Sequence, residues 1–230
     1  MEHLIFLHGA LGTAHQLEPI ANALKGEHQN HILTFSGHGG SEIPSKMIIS
    51  NFAEEVINYM DKNNIQSASF FGYSMGGYVA MYLAINFPQK INALATLATK
   101  WQWNPEIAKK ETAMLNPEIL KEKVPAYAQS LILLHSEERW KSLLSATSTL
   151  LTDMGNAPPV KNEDLEKVTI PVMFCLGDSD RMVSLDETKE TQGLLKNCQL
   201  SIISSTKHPV ETCNIIDLTK FLCTFFGIIL

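Results

Sequence analysis

Basic charge is scarce in this 230-residue chain: 18 Lys and Arg stand against 24 Asp and Glu, a formal net charge of -6. A nucleic-acid binder would carry a basic stripe, so that class is set aside. Long apolar runs are missing too. The uncharged C-terminal stretch Phe221–Leu230 has ten residues, short of the ~18 that a membrane span needs. It reads as a final helix packed on the core and ending near Gly227. The opening, MEHLIFLHGA, has no basic segment before its apolar run and a Gly-rich turn straight after it. That reads as a buried strand and not as a secretory signal. Cysteine is sparse: Cys175, Cys198, Cys213 and Cys223 form no CxxC pair. Reduced thiols in a cytoplasmic protein are the expectation. His and Cys are scattered without ligand spacing and no phosphate-cradling glycine loop occurs, so neither metal nor cofactor is expected.

What is present is an ordinary globular composition, 45% hydrophobic and 18% charged, in a chain long enough to bury a core without staples. Short apolar runs alternate with amphipathic stretches, the pattern of βαβ units and a parallel sheet. Strands are expected at Leu4–Leu7, Gln29–Phe35, Ala68–Phe71, Ile91–Ala98, Pro171–Leu176 and Leu200–Ile203. Leu17, Ile20, Ala21 and Leu24 fall on one helical face, as do Phe52, Val56, Tyr59 and Met60. A long apolar helix should end before Pro88, another should run near Asp186–Lys196, and a terminal one over roughly Val210–Phe226.

Between Lys100 and about Lys167 the alternation stops. Asn104-Pro105-Glu106 and Asn116-Pro117-Glu118 each combine an N-cap Asn, a Pro at the first helical position and an acid in the first turn. They predict a short helical hairpin, with a third helix over Arg139–Leu151 and a return linker at Pro158-Pro159. The whole is an all-helical insertion in one domain.

The strongest chemical signal is Gly72-Tyr73-Ser74-Met75-Gly76 between an apolar strand and an apolar helix. A serine there sits on a strained strand-to-helix turn with its hydroxyl exposed. A serine nucleophile needs a base and an acid that orients the base. Of eight histidines, His208 alone follows a late strand, on a loop that reaches the same sheet edge. The acid should follow the preceding strand, where Asp178 and Asp180 both stand. Oxyanion donors are expected from the Met75 N–H and, in the loop His8-Gly9-Ala10-Leu11-Gly12, from the Ala10 N–H. His8 and His38 read as braces beneath their loops.

Taken in order, His8-Gly9 after a strand, Gly37-His38-Gly39 with Ser41, the turn around Ser74, Pro171 with Gly177-x-x-Asp180, and His208 resemble the α/β-hydrolase superfamily across nearly the full length outside the insertion. The resemblance implies that fold: a mostly parallel sheet of about six strands flanked by helices. The core would be 1–99 and 168–230, with a helical lid insertion at 100–167. It favours Asp180 over Asp178, because the acid commonly lies three residues after the glycine. The triad implied is Ser74, Asp180 and His208. The chain departs from the family at Thr34, Ser36 and Lys207, and it begins at what would be the family's third strand. The remaining six strands should then be wholly parallel, with the Gln29–Phe35 strand an edge that is covered or used in a homodimer.

The activity implied is a serine hydrolase that cleaves a small, mainly uncharged carboxylic ester or thioester through an acyl-enzyme. Leu11, Trp101, Trp103 and Met182, with Met75, are expected to line an apolar pocket, although both Trp residues read equally well as packing. Lys100 and Arg139 are the candidates for meeting an anionic substrate. The run Gly72–Gly77 also resembles the lyase of menaquinone synthesis and carbon–carbon bond hydrolases, which tend to carry Arg where this chain has Tyr78; cofactor-free perhydrolases look similar. A ligand-binding receptor with little turnover is the third reading. The partner expected is a small-molecule substrate, with no nucleic acid and no membrane.

Overall fold

A computed structural model describes residues 2–24, 26 and 28–229; Met1 and Leu230, ends of the expected core and of the C-terminal apolar stretch, lie outside them. Six strands make one sheet in the order β2-β1-β3-β4-β5-β6. They are β1 (Glu2–Leu7), β2 (His28–Leu33), β3 (Ala68–Tyr73), β4 (Ile91–Leu97), β5 (Val172–Gly177) and β6 (Cys198–Ile203). Every neighbouring pair is parallel, as the sequence predicts, and β2 forms one edge.

The sheet is buried on both faces because successive side chains point to opposite sides. Ile5, Leu7, Phe70, Leu94 and Phe174 enter one core cluster; Leu4, Phe6, Phe71, Ala95 and Cys175 enter the other. The first face is covered by α2 (Ile49–Lys62) and α3 (Met75–Asn86), which bring Phe52, Val56, Met60 and Val79. The second is covered by α1 (Glu18–Ala23) and by α10 (Ile215–Phe226), which brings Leu218 and Leu222. Tyr59, expected on the inner face of α2, is only half-buried and meets His31 Nδ1 through its hydroxyl at 2.9 Å.

Between β4 and β5 there are only helices: α4 (Pro105–Thr112), α5 (Pro117–Lys123), α6 (Pro125–His135), α7 (Trp140–Asn156) and the short α8 (Asn162–Leu165). Asn104 and Asn116 cap α4 and α5, their side chains accepting from the amides of Ile107 and of Glu118 and Ile119. The expected hairpin is not what forms. Instead α4 packs mainly against α7, and α5 against the unforeseen α6. Burial decides it: Trp140, Leu143, Leu144 and Leu150 on α7 need cover on the core side, and two short capped helices facing each other would leave that stripe in water. Beyond β5, α9 (Leu185–Leu194) follows a capping box of Ser184 with Glu187. The expected terminal helix is broken: Cys213 is extended, and α10 starts afresh with Asn214 accepting from the Asp217 amide. Among the described residues no helix is long and apolar enough to cross a membrane.

Three fully buried histidines join the strand loops to the helical segment. His8 Nδ1 donates to Gly9 O at 2.7 Å and Nε2 accepts from Phe35 N at 3.1 Å. His38 Nδ1 donates to Ser36 O at 3.1 Å. His135, on α6, donates from Nε2 to Leu11 O at 2.9 Å and accepts at Nδ1 from Gly39 N at 3.0 Å. The accepting nitrogens of His8 and His135 require neutral rings, whereas His38 Nε2 is buried without a partner. Burial, reinforced by the neighbouring His38, pushes His8 down to about 3, and burial pushes His38 down to about 4. His135 is lowered by the same cause.

An unfolded histidine takes up its proton near pH 6.5, well before these rings do, so their contribution to stability is full above that pH and is lost as pH falls toward about 4. His8 and His38 should together remove about 4 kcal/mol of unfolding free energy between pH 7.5 and 5. Urea unfolding at the two pH values checks this, and an unchanged free energy would contradict the neutral-ring account.

Candidate active site

Ser74 lies between β3 and α3 with φ 50° and ψ −115°, a left-handed backbone that a residue with a side chain adopts only under constraint. The constraint is visible on every side. Ser74 N donates to Leu97 O at 2.8 Å, and Ser74 O accepts from Gly77 N at 3.0 Å and from Thr99 Oγ1 at 3.1 Å. A Cβ at Gly72 would strike the Gly77 backbone, and one at Gly76 would strike the Leu7 carbonyl. The turn therefore needs glycine at both places, and the serine hydroxyl is left at the N-terminus of α3, the positive end of its dipole.

His208 and Asp180 complete a hydrogen-bonded chain. Ser74 Oγ lies 3.4 Å from His208 Nε2, the long end of a hydrogen bond and common before substrate binds. His208 Nδ1 donates to Asp180 Oδ2 at 2.9 Å. The Asp180 side chain is 1% exposed, and its Oδ1 accepts from the amides of Met182 and Val183 at 2.8 and 2.9 Å. Burial raises the Asp180 carboxyl, but the His208 hydrogen bond, the His208 charge and the two amides outweigh it and hold the group below the usual range. Asp178 is exposed and turns to Ser179 Oγ and Thr206 N, away from His208. Lys207 and Pro209 on either side of His208 leave its aim intact, because Tyr73 donates to the His208 carbonyl at 3.0 Å.

Around the hydroxyl lies a cavity of about 90 Å³, well under the ~300–1,000 Å³ of drug-sized pockets. Met75, Tyr78, Trp103, Leu151, Met154 and Met182 form its apolar wall, with Ala10 beside Ser74 and His208. Neither the Ala10 nor the Met75 amide donates to a protein acceptor among the described residues. Leu11 and Trp101, expected in this wall, do not line it. Leu11 is turned into the core at φ 60° with its carbonyl held by His135. Trp101 stacks on Phe174 at 4.7 Å and lines a neighbouring cleft of about 500 Å³ that none of Ser74, Asp180 and His208 reaches. The smaller cavity is the one with chemistry in it.

Sequence reasoning missed two acids. Lys100 and Glu111 line the cavity, and Glu187 approaches Lys100 from behind. Glu187 also accepts from the amides of Trp101 and Gln102 at 2.9 and 3.2 Å, which pins the start of the helical segment to α9. Ser184-x-x-Glu187 is legible as a capping box; its reach to residues 101 and 102 is not. Arg139, the other candidate cation, directly precedes α7 and lines neither space. Among the described residues no cluster of His, Cys, Asp or Glu could hold a metal ion.

The glycine packing is open to test. In Gly76→Ala the new methyl meets backbone that cannot yield, so the thermal midpoint should fall by roughly 5–10 °C. A melting curve that superimposes on the wild type would contradict the packing.

Residues 2–132 match the profile of a family described as alpha/beta hydrolase fold. Over 237 aligned residues the chain is 24% identical to 3-oxoadipate enol-lactonase 1 of Acinetobacter baylyi, covering 98% of this chain and 88% of that protein. A shorter match, 31% identical over 81 residues, joins 35% of this chain to 29% of 2-succinyl-6-hydroxy-2,4-cyclohexadiene-1-carboxylate synthase of Yersinia enterocolitica. The solved enol-lactonase of Burkholderia xenovorans superposes with a TM-score of 0.80 over 98% of this chain and 91% of that one, at 16% identity; that likeness speaks for the fold. With more than half of its length matched, the chain belongs to the alpha/beta hydrolase fold family.

Proposed function

We propose that the chain hydrolyses a small, mainly uncharged carboxylic ester or thioester through an acyl-enzyme. One observation carries this reading: the run Ser74–His208–Asp180 opens on a small apolar cavity beside two unengaged backbone amides. Ser74 Oγ attacks the carbonyl carbon as its proton passes to His208 Nε2. The carbonyl electron pair moves onto oxygen, where the N–H groups of Ala10 and Met75 receive it. Collapse of that adduct expels the alcohol or thiol, which takes the proton back from His208. Water, deprotonated by the same imidazole, then releases the acid and restores Ser74. Asp180 holds the ring in its Nδ1–H form and stabilises the imidazolium.

The helical segment 100–167 acts in this reading as a lid, supplying Trp103, Leu151 and Met154 to the cavity wall. The likeness over 98% of the chain to an enol-lactonase, whose named substrate is a cyclic ester, supports ester cleavage. Lyase or carbon–carbon bond cleavage has the shorter synthase match in its favour. Against it stands Tyr78, where the resemblance implies Arg: its hydroxyl accepts from Val160 N at 3.2 Å, and burial pushes its ionisation far above the ordinary range.

The test is hydrolysis of p-nitrophenyl esters from acetate to decanoate. The cavity volume predicts an optimum among the shortest chains. Ser74→Ala and Asp180→Asn should lower kcat/KM by about 10³-fold or more, while Asp178→Asn stays near wild type. Equal rates in wild type and Ser74→Ala would overturn the mechanism.

A further inference from the structure

The cavity wall is apolar except at one place. Lys100 Nζ lies 3.5 Å from Glu111 Oε1 and 3.8 Å from Glu187 Oε2, and it donates to Met182 O at 2.5 Å. The three side chains are 15%, 12% and 9% exposed. Lys100 gives one of its three protons to the Met182 carbonyl and faces both carboxylates at ion-pair distance. Its charge is therefore already met within the protein.

The two acids are not equivalent. Glu187 takes the amides of Trp101 and Gln102 on one oxygen and faces Ser184 N on the other. It also sits in the first turn of α9, where the helix dipole favours an anion. Glu111 has Lys100 as its only polar partner among the described residues. A carboxylate offers about four acceptor positions, and Lys100 leaves most of those on Glu111 open to a hydrogen-bond donor carried by a ligand. Unlike Glu187, Glu111 lines the space that holds Ser74 and His208. Counting Asp180 with the two acids, the surroundings of that space carry three acidic side chains beside Lys100 and His208.

We infer that Glu111 is a specificity-determining residue: the cavity takes an ester whose small group carries a hydrogen-bond donor, a hydroxyl or an ammonium, and rejects one carrying a carboxylate. This rests on the reading of the Ser74 cavity as the reacting site. The donor fills the acceptor positions that Lys100 leaves open, and a carboxylate placed there meets like charge.

Four methyl esters of matched size test this, with hydrolysis followed by pH-stat titration: butyrate, 3-hydroxybutyrate, 3-aminobutyrate and monomethyl succinate. Wild type should favour the hydroxy and amino esters over butyrate by about tenfold in kcat/KM and turn over monomethyl succinate about tenfold more slowly than butyrate. In Glu111→Gln the amide keeps an acceptor and gains a donor. The penalty on monomethyl succinate should then vanish and the amino ester should lose its lead over butyrate. A wild type that prefers monomethyl succinate to butyrate overturns the inference, as does an order unchanged in Glu111→Gln; the wild-type order alone decides it if that variant does not fold. Titrating the same esters into Ser74→Ala by NMR separates the two proposals. Donor-ordered binding without wild-type turnover leaves this inference standing and removes the hydrolase, whereas turnover without that order does the reverse.

Discussion

The site hangs on the backbone of one residue. Ser74 is held at φ 50°, in a conformation that costs of order 1–3 kcal/mol for a residue with a side chain. What holds it is the absence of side chains around it. Gly72 and Gly77 touch each other across the turn, and Gly76 lies against the end of β1. Because β3 is flanked by β1 and β4, both neighbouring strand ends are recruited: Leu97 O receives the Ser74 amide, and Thr99, just beyond β4, donates to the Ser74 carbonyl. Gly9 belongs to the same constraint, since a Cβ there would reach the Tyr73 ring at 2.8 Å and Ser74 Cβ at 3.2 Å. Close approach of the β1 loop to the turn brings Ala10 beside the hydroxyl, so one requirement for small residues sets both the serine and the candidate oxyanion donors.

That loop needs support from below, and buried imidazoles supply it. A ring that donates through one nitrogen and accepts through the other can join two backbone segments only while neutral. His8 joins the β1 loop to Phe35, beyond β2. His135 joins Leu11 to Gly39 from the helical segment. The segment over the site is therefore tied to the loop that carries Ala10 through a hydrogen-bonded ring, and the geometry around Ser74 depends on burial that keeps that ring uncharged.

The parts of this arrangement that local pattern encodes were readable. Short continuous apolar runs in β1, β3 and β5 locate the sheet, the glycines around Ser74 mark the turn, and Asn-Pro-Glu marks the starts of α4 and α5. What could not be read depends on partners far along the chain. His135 meets Leu11 across 124 positions and Glu187 meets Trp101 across 86; no local spacing encodes either contact. The start of α6 was hidden because Val124, which precedes it, supplies no capping side chain. Leu11 and Trp101 were placed in the pocket because they neighbour site residues in sequence. Yet a residue one step from a wall residue points elsewhere whenever the backbone turns, as it does at Leu11.

The electrostatics of the site meet in a single residue. Asp180 accepts the Met182 amide at 2.8 Å, and Lys100 donates to the Met182 carbonyl at 2.5 Å. The two polar groups of Met182 thus connect the acid that orients His208 with the cation that faces Glu111, while its own side chain lines the cavity between them. In a low-dielectric wall such a connection fixes positions on both sides. Moving Lys100 toward a ligand would pull on the loop that sets Asp180, and so on the aim of His208. A cation built into the support of the His208–Asp180 pair is poorly suited to chase an anionic group, whereas Glu111, whose one polar partner among the described residues is Lys100, is less constrained.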